Sequence, residues 1–108
     1  MKVSYLEAAS DDVVRQFRYY LVTLNLPEVA VRFRDAARRT VQSLSQHPFV
    51  GLHYRSSKPQ LQNVRAWPVA GFEAIRIYYL LYEDTIRVIR ILHGKRDIKR
   101  ILEREGAV

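Results

Sequence analysis

His93 has the clearest setting for acid–base chemistry in this sequence, because it follows an isoleucine-rich run and has arginines on either side. Metal-free RNA cleavage needs a base for the 2′-hydroxyl, an acid for the leaving oxygen and cations around the phosphate. His93 and Arg65 could supply part of such a site. Glu73 and Tyr78 are the candidates for the missing acid or base, but no sequence pattern supports either. The favoured interpretation is therefore that His93 hydrogen-bonds to the backbone or to Asp97 at a strand end.

The remaining candidates for ligand chemistry are weak. His47 and His53 lie near Pro48 and Gly51 and share no spacing with a carboxylate that would indicate a metal site. The chain contains no cysteine, which excludes a disulfide, a thiolate zinc site and a cysteine nucleophile. Its four glycines are scattered singly, so there is no glycine-rich phosphate loop. The sequence predicts neither a metal ion nor a cofactor.

Positive charge is the strongest property of the composition. The 108 residues include 18 Lys and Arg against 11 Asp and Glu, a formal net charge of +7. Residues 86–104 hold seven of these cations against Asp97 and Glu103. A second group, on a predicted helix, consists of Arg32, Arg34, Arg38 and Arg39. Such charge indicates the class of partner, and both nucleic acid and an acidic protein fit it. A membrane surface fits poorly, because Trp67 lies in a strand-like run rather than on an amphipathic helix.

The first half of the chain has the periodicity of a strand followed by two helices. Residues 2–6 alternate polar with apolar and predict a strand that has Val3 and Tyr5 on one face. From Ser10, predicted as an N-cap, apolar residues recur at helical spacing as far as Leu24. Pro27 suits the first turn of a second helix that ends before residue 48. The short connection between the two predicts an antiparallel helical hairpin.

The second half of the chain has the residue composition of β-strands. Residues 52–62 lack periodicity and predict a loop, whereas residues 64–69, 72–82 and 85–92 predict an antiparallel meander. One face of this sheet is expected to receive the helical hairpin and the other to be amphipathic and lined with tyrosines. A short helix follows Gly94. Residues 1–108 therefore predict a single α+β domain of two layers with an antiparallel sheet, in the order β-α-α-β-β-β with a short C-terminal helix.

The lengths of the hydrophobic runs indicate where in the cell the protein is located. No segment approaches the roughly 18 uncharged residues of a membrane-spanning helix, and the N-terminus reaches Glu7 before any apolar stretch of a secretion signal. The sequence therefore predicts a cytoplasmic protein.

Several ordered features resemble a known family. They are Asp11-Asp12 in the first helix, Ala30-x-Arg32-Phe33 in the second, Leu44, Pro48 and Gly51, then Val64-Arg65, Ile77-Tyr78-Tyr79 and the closing His93-Gly94-Lys95-Arg96-Asp97. Together they resemble the ParE-type toxins of the RelE/ParE superfamily, the toxin halves of bacterial type II toxin–antitoxin pairs. The closing run after an Ile-rich strand is the most specific of these features.

The resemblance implies a protein-binding toxin that inhibits DNA gyrase and is not an enzyme. It also implies a cognate ParD-like antitoxin, acidic and folding on binding, in a hetero-oligomeric complex. The alternative is a RelE-like, ribosome-dependent mRNA endoribonuclease that uses Arg65 and His93. RelE-like nucleases more often have catalytic Arg, His or Tyr residues close to the terminus, where this chain has Glu103-Arg104-Glu105-Gly106-Ala107-Val108. A member that keeps the fold but has lost toxicity is a third reading.

Two sets of contact residues are expected. The target-binding set is Arg90, His93, Lys95 and Arg96, and the antitoxin-binding set is Arg65, Arg76, Tyr78, Tyr82 and Phe33. Arg96 and Asp97 also suit a structural corner, with Asp97 early in the last helix. The strand tyrosines are expected mainly to pack half-buried rather than to stack on bases, and their exposed members suit a protein interface. The uncovered face of a small two-layer domain is the expected site of the antitoxin.

Overall fold

The computed structural model describes residues 1–96 and 98–104, so Asp97 and residues 105–108 lie outside the described part of the chain. Within that part the helices are α1 (Glu7–Arg18), α2 (Pro27–Gln46) and α3 (Ile98–Arg104). The strands are β1 (Lys2–Tyr5), β2 (Leu52–His53), β3 (Arg65–Val69), β4 (Phe72–Tyr82) and β5 (Thr85–His93). The predicted α+β class and element order are confirmed, with β2 as an addition.

The described strands form one sheet in the order β1-β5-β4-β3-β2. Strands β2 to β5 pair antiparallel, as predicted for the meander. β1 instead pairs parallel with β5, from Lys2 opposite Thr85 to Tyr5 opposite Val88. The expectation of a wholly antiparallel sheet is therefore wrong at this edge, because the chain leaves β1 through a helical crossover before it returns as the meander.

Helix α1 begins earlier than predicted. The Leu6 N–H donates to the carbonyl of Val88 at 2.9 Å, which continues the β1–β5 pairing to the last residue before the helix. The helix then starts at Glu7, whose carboxylate lies in the first turn, and Ser10 is inside the helix rather than its N-cap. The strand pairing, not a capping side chain, therefore determines where α1 starts.

The predicted helical hairpin is present. A π-helical turn, Tyr19–Thr23, follows α1, and Asn25 adopts a left-handed conformation with φ of 52°. Pro27 occupies the first turn of α2. Both helices pack on one face of the sheet around a core of Ala9, Phe33, Ala36, Ala37, Val41, Leu44, Val69, Ile75, Ile77, Tyr79, Ile86, Val88 and Ile91.

A second core covers the opposite face of the sheet. It contains Leu61, Val64, Tyr78, Ile89, Leu92, Ile101 and Leu102. The segment 52–62, predicted as a loop, contributes β2 and a 3₁₀ turn at Pro59–Leu61, and Ser56 donates a hydrogen bond of 2.8 Å to Glu103 of α3. The expectation that only one face is covered is wrong, because apolar residues far apart in the sequence meet on this face only after folding.

A β-bulge decides which residues of β5 face each core. Tyr78 lies opposite Arg90 and Tyr79 opposite Val88, so Ile89 is an extra residue on β5. Such a bulge breaks the alternation of side chains along a strand. As a result Ile89 faces the second core, whereas Ile91 returns to the helical face.

The Asp12 carboxylate joins α1 to β5. It accepts hydrogen bonds from Nε of Arg90 at 2.8 Å, from Nη2 of Arg90 at 2.8 Å and from the Ile91 N–H at 2.9 Å. Arg15 donates a further bond at 3.0 Å. Asp12 and Arg90 are 3% and 5% exposed. β1 ends opposite Val88, so the Ile91 N–H lies beyond the β1–β5 pairing. The Asp12 carboxylate accepts this N–H in place of a neighbouring strand.

We expect Asp12→Asn to lower the free energy of unfolding by about 3–5 kcal/mol, because it leaves the buried Arg90 without a counter-charge. Urea denaturation measures this change. Asp11→Asn is the matched control, since Asp11 is exposed on the same helix, and its effect should stay within about 0.5 kcal/mol. Equal losses of unfolding free energy in Asp12→Asn and Asp11→Asn would contradict the structural role of the Asp12–Arg90 pair.

Candidate protein-interaction surfaces

The turn after β5 presents exposed cations on a fixed backbone. The Gly94 N–H donates to the Ala74 carbonyl at 2.7 Å, and the Arg96 N–H donates to the His93 carbonyl at 2.9 Å. The Lys95 N–H donates to Nδ1 of His93 at 3.1 Å. The interpretation that His93 bonds to the backbone at a strand end is therefore confirmed. Lys95 and Arg96 are exposed and His93 is half-buried.

Arg90 is not among the cations that this turn presents. Its guanidinium is buried against Asp12, so the expectation that Arg90 contacts a target from the surface is wrong. Arg15 lies at the same corner instead, where it lines a small cavity with His93 and Arg96. The side chain of Arg15 is 57% exposed. Sequence reasoning missed it, because only the contact with Asp12 brings this arginine of α1 to the end of β5.

Arg65 has a structural role far from His93. Its Nη1 donates to the carbonyls of Phe49 and Gly51 at 3.1 and 2.8 Å, and its guanidinium lies 5.3 Å from the Phe49 ring centroid. Arg65 pairs with Tyr79 of β4, whereas His93 pairs with Ile75. Four residues along a strand correspond to roughly 13 Å. The structure does not bring the two candidate nuclease residues together.

A groove of about 600 Å³ lies on the second face of the sheet. Its floor includes Ala66 and Tyr78, which lie opposite each other on β3 and β4, and Leu52 lines one wall. Tyr54 packs edge-on against Tyr78, with ring centroids 6.2 Å apart. Arg76 stands exposed at the rim. Burial raises the pKa of Tyr78, an effect that the neighbouring Arg76 opposes.

The other residues of the expected antitoxin set lie apart from this groove. Phe33 is fully buried between the helices and the sheet, where its ring contacts Tyr20 and Phe72, so the expectation of a surface contact there is wrong. Tyr82 is exposed at the far end of β4, with the guanidinium of Arg87 4.7 Å from its ring centroid. The structure brings together Arg76 and Tyr78 and separates Phe33, Tyr82 and Arg65 from them.

The segment Pro48–Leu52, here called the apolar loop, was not identified from the sequence. The Tyr79 hydroxyl donates to the Pro48 carbonyl at 2.9 Å and accepts from the Gly51 N–H at 3.0 Å. Burial raises the pKa of Tyr79, and the Gly51 N–H and Arg65 oppose that rise. Phe49 and Leu52 are 68% and 76% exposed. The sequence signal that could have indicated this surface is a cluster of apolar residues beyond the end of α2 that fits neither helical nor strand periodicity.

Comparison with known proteins identifies the family. The family model described as the ParE toxin of the type II toxin–antitoxin system parDE matches residues 3–98. The chain belongs to the ParE toxin family. A chain from the chromosomal ParDE toxin–antitoxin system of P. aeruginosa is structurally similar, with a TM-score of 0.70 and 22% sequence identity over 86% of this chain and 95% of that chain. No curated protein sequence matches significantly.

The ParE resemblance drawn from the sequence is thereby confirmed, and with it the expected fold. In the described part of this ParE family chain, no three His, Asp or Glu side chains are grouped as metal ligands would be. No helix among residues 1–96 and 98–104 has the length and apolar character needed to cross a membrane.

A further apolar surface of this ParE family chain lies at the tip of the helical hairpin. Its exposed members include Val14, Tyr19, Val22, Leu24 and Leu26. Val14, Tyr19 and Val22 line a shallow depression together with Asp11, Arg15 and Arg18. This surface therefore mixes apolar residues with both signs of charge, unlike the apolar loop.

We expect Gly51→Ala to destabilise the protein by about 1–3 kcal/mol, because the new Cβ overlaps the Tyr79 hydroxyl and lies 2.8 Å from its Cε1. Thermal unfolding measures the change. Gly94→Ala is the control, since a Cβ there meets only the Ala74 carbonyl at 3.4 Å. Similar melting temperatures for Gly51→Ala and the wild type would show that the apolar loop is not packed against Tyr79.

Proposed function

We propose that this chain is a ParE toxin that inhibits DNA gyrase by binding it and that a ParD-like antitoxin neutralises it in a hetero-oligomeric complex. The family match over residues 3–98 supports the toxin class. The separation of Arg65 from His93 carries the preference for binding over RNA cleavage, because phosphate chemistry requires the acid, the base and the cations at one point. The cytoplasm, where gyrase acts, is the proposed location.

The proposed gyrase-binding surface is the corner that includes His93, Lys95 and Arg96, with Arg15 beside them. Two backbone–backbone hydrogen bonds and the bond from the Lys95 N–H to the His93 ring hold the turn, and the Asp12 network lies beneath it. A fixed turn loses little conformational freedom on binding. Guanidinium groups favour bidentate contacts with carboxylates, so an acidic protein surface fits this corner.

The proposed antitoxin-binding surface is the groove floored by Ala66 and Tyr78. An acidic segment with apolar anchors fits it, since Leu52, Ala66 and Tyr78 supply apolar surface and the cations Arg55 and Arg76 outnumber the one carboxylate of the lining, Glu73. The groove also includes Ile98, close to the turn in which Gly94 bonds to Ala74. We infer that a segment bound there obstructs the proposed gyrase-binding corner, because Ile98 of the groove follows Arg96 of the corner by two residues.

The gyrase proposal is tested with Arg96→Ala and Lys95→Ala in a supercoiling assay with purified gyrase. We expect each variant to raise the concentration needed for inhibition by roughly tenfold, as loss of a central interface cation does. Arg39→Ala, an exposed arginine on α2, removes the same charge elsewhere and should leave inhibition unchanged. Inhibition that is equal in all three variants would exclude this corner as the contact.

Induction in cells separates the gyrase proposal from the ribosome alternative. We expect a DNA-damage response and filamentation, with intact mRNA, because gyrase poisoning stops DNA processing before translation fails. Cleavage of ribosome-bound mRNA that disappears in His93→Ala would overturn the gyrase proposal. Normal growth on induction, with antitoxin binding retained, would identify a member that has lost toxicity.

The groove is tested by calorimetric titration with the antitoxin encoded beside this gene. We expect Arg76→Ala to weaken binding about tenfold and to reduce its salt dependence, because a carboxylate loses its partner. Arg39→Ala again serves as the control for charge alone. Unchanged affinity in Arg76→Ala would place the antitoxin elsewhere on the toxin.

A further inference from the structure

The apolar loop combines exposure with rigidity. Phe49, Val50 and Leu52 are 68%, 41% and 76% exposed, and they lie within four consecutive positions. Adjacent exposed apolar side chains of this size indicate an interaction surface rather than a solvated turn. These apolar side chains are not part of the apolar face of α2, since that helix ends at Gln46.

The rigidity comes from two side chains of the sheet. Tyr79 binds the backbone at Pro48 and Gly51, and Arg65 binds the carbonyls of Phe49 and Gly51. Arg65 also stacks on the Phe49 ring. These contacts hold the loop before any partner arrives, so its apolar side chains lose little freedom on binding.

Charge indicates the chemistry of the partner. Residues 36–72 contain no Asp or Glu, although they include Arg38, Arg39, Arg55, Lys58 and Arg65. The guanidinium of Arg65 lies directly beside Phe49. A second copy of this chain would bring like charges together, whereas a segment that alternates apolar and acidic residues complements both features.

The groove and the apolar loop share a residue. Leu52 belongs to the loop and also lines the groove, where it pairs with Ala66. Phe49 lies three residues before Leu52, a distance of at most about 11 Å along the chain. A peptide of a few extended residues can therefore continue from the groove across Phe49.

We infer that the apolar loop is a second anchor for the acidic antitoxin, contiguous with the groove, in which Phe49 and Leu52 contact apolar side chains and Arg65 faces a carboxylate. The inference rests on the proposed antitoxin function and extends its binding site to the apolar loop, of whose contact residues only Arg65 was expected from the sequence.

The test is calorimetric titration of Phe49→Ser and Leu52→Ser with the antitoxin encoded beside this gene, together with growth inhibition in its absence. We expect each variant to weaken binding at least about tenfold, as loss of an interface anchor does. Growth inhibition without antitoxin should remain unchanged. Val22→Ser is the matched control, because Val22 is 70% exposed at the tip of the helical hairpin, and its affinity should equal that of the wild type.

The possible outcomes separate the two proposals. Full affinity in both loop variants, with Arg76→Ala weakened, overturns the second anchor and leaves the groove in place. Loss of growth inhibition with full antitoxin affinity also overturns it, because the loop then belongs to the target interface. Absence of antitoxin binding by the wild type overturns the antitoxin function and the second anchor together. Circular dichroism checks folding. If Phe49→Ser unfolds through loss of the Arg65 contact, Val50→Ser decides the question, because Val50 belongs to the apolar loop, is 41% exposed and is not a groove residue. Full antitoxin affinity in Val50→Ser then overturns the second anchor.

Discussion

The buried carboxylate of Asp12 is the contact on which the rest of this structure depends. It binds the Arg90 guanidinium in a two-bond fork and accepts the Ile91 N–H beyond the point where β1 ends. Replacing such a pair with well-packed apolar residues can be neutral or stabilising, whereas removing one partner is costly. The main role of the Asp12–Arg90 pair is therefore to fix the position of α1 against β5. This also fixes the turn that follows β5.

The bulge at Ile89 determines which side chains of β5 reach each core. Because one extra residue interrupts the alternation of β5, Ile89 and Ile91 face opposite sides of the sheet, although they are two residues apart. The helical hairpin fills one face, and α3 with the segment 52–64 covers part of the other. What remains uncovered on that second face is the groove above Ala66 and Tyr78, rather than a whole open sheet.

The surfaces of the toxin thus differ in chemistry. The corner at His93 is polar and cationic, whereas the groove and the apolar loop combine apolar contacts with cations that include Arg76 and Arg65. An antitoxin that is disordered alone suits a long surface of the second kind, because coupled folding lets a thin chain cover a large area. For the acidic antitoxin proposed above, opposite charge accelerates the encounter with this arginine-rich surface.

The sequence by itself determined the main helices and strands and the family. Helical spacing defined the hairpin, β-branched runs defined β3 to β5, and the order of short patterns indicated ParE, because all of these depend on neighbours along the chain. Tertiary structure alone decided the parallel pairing of β1, the burial of Arg90 and Phe33, and the structural use of Arg65. It also assembled the second core and the apolar loop. These features depend on contacts between residues far apart in sequence, such as Asp12 with Arg90 and Gly51 with Tyr79, which no local period records.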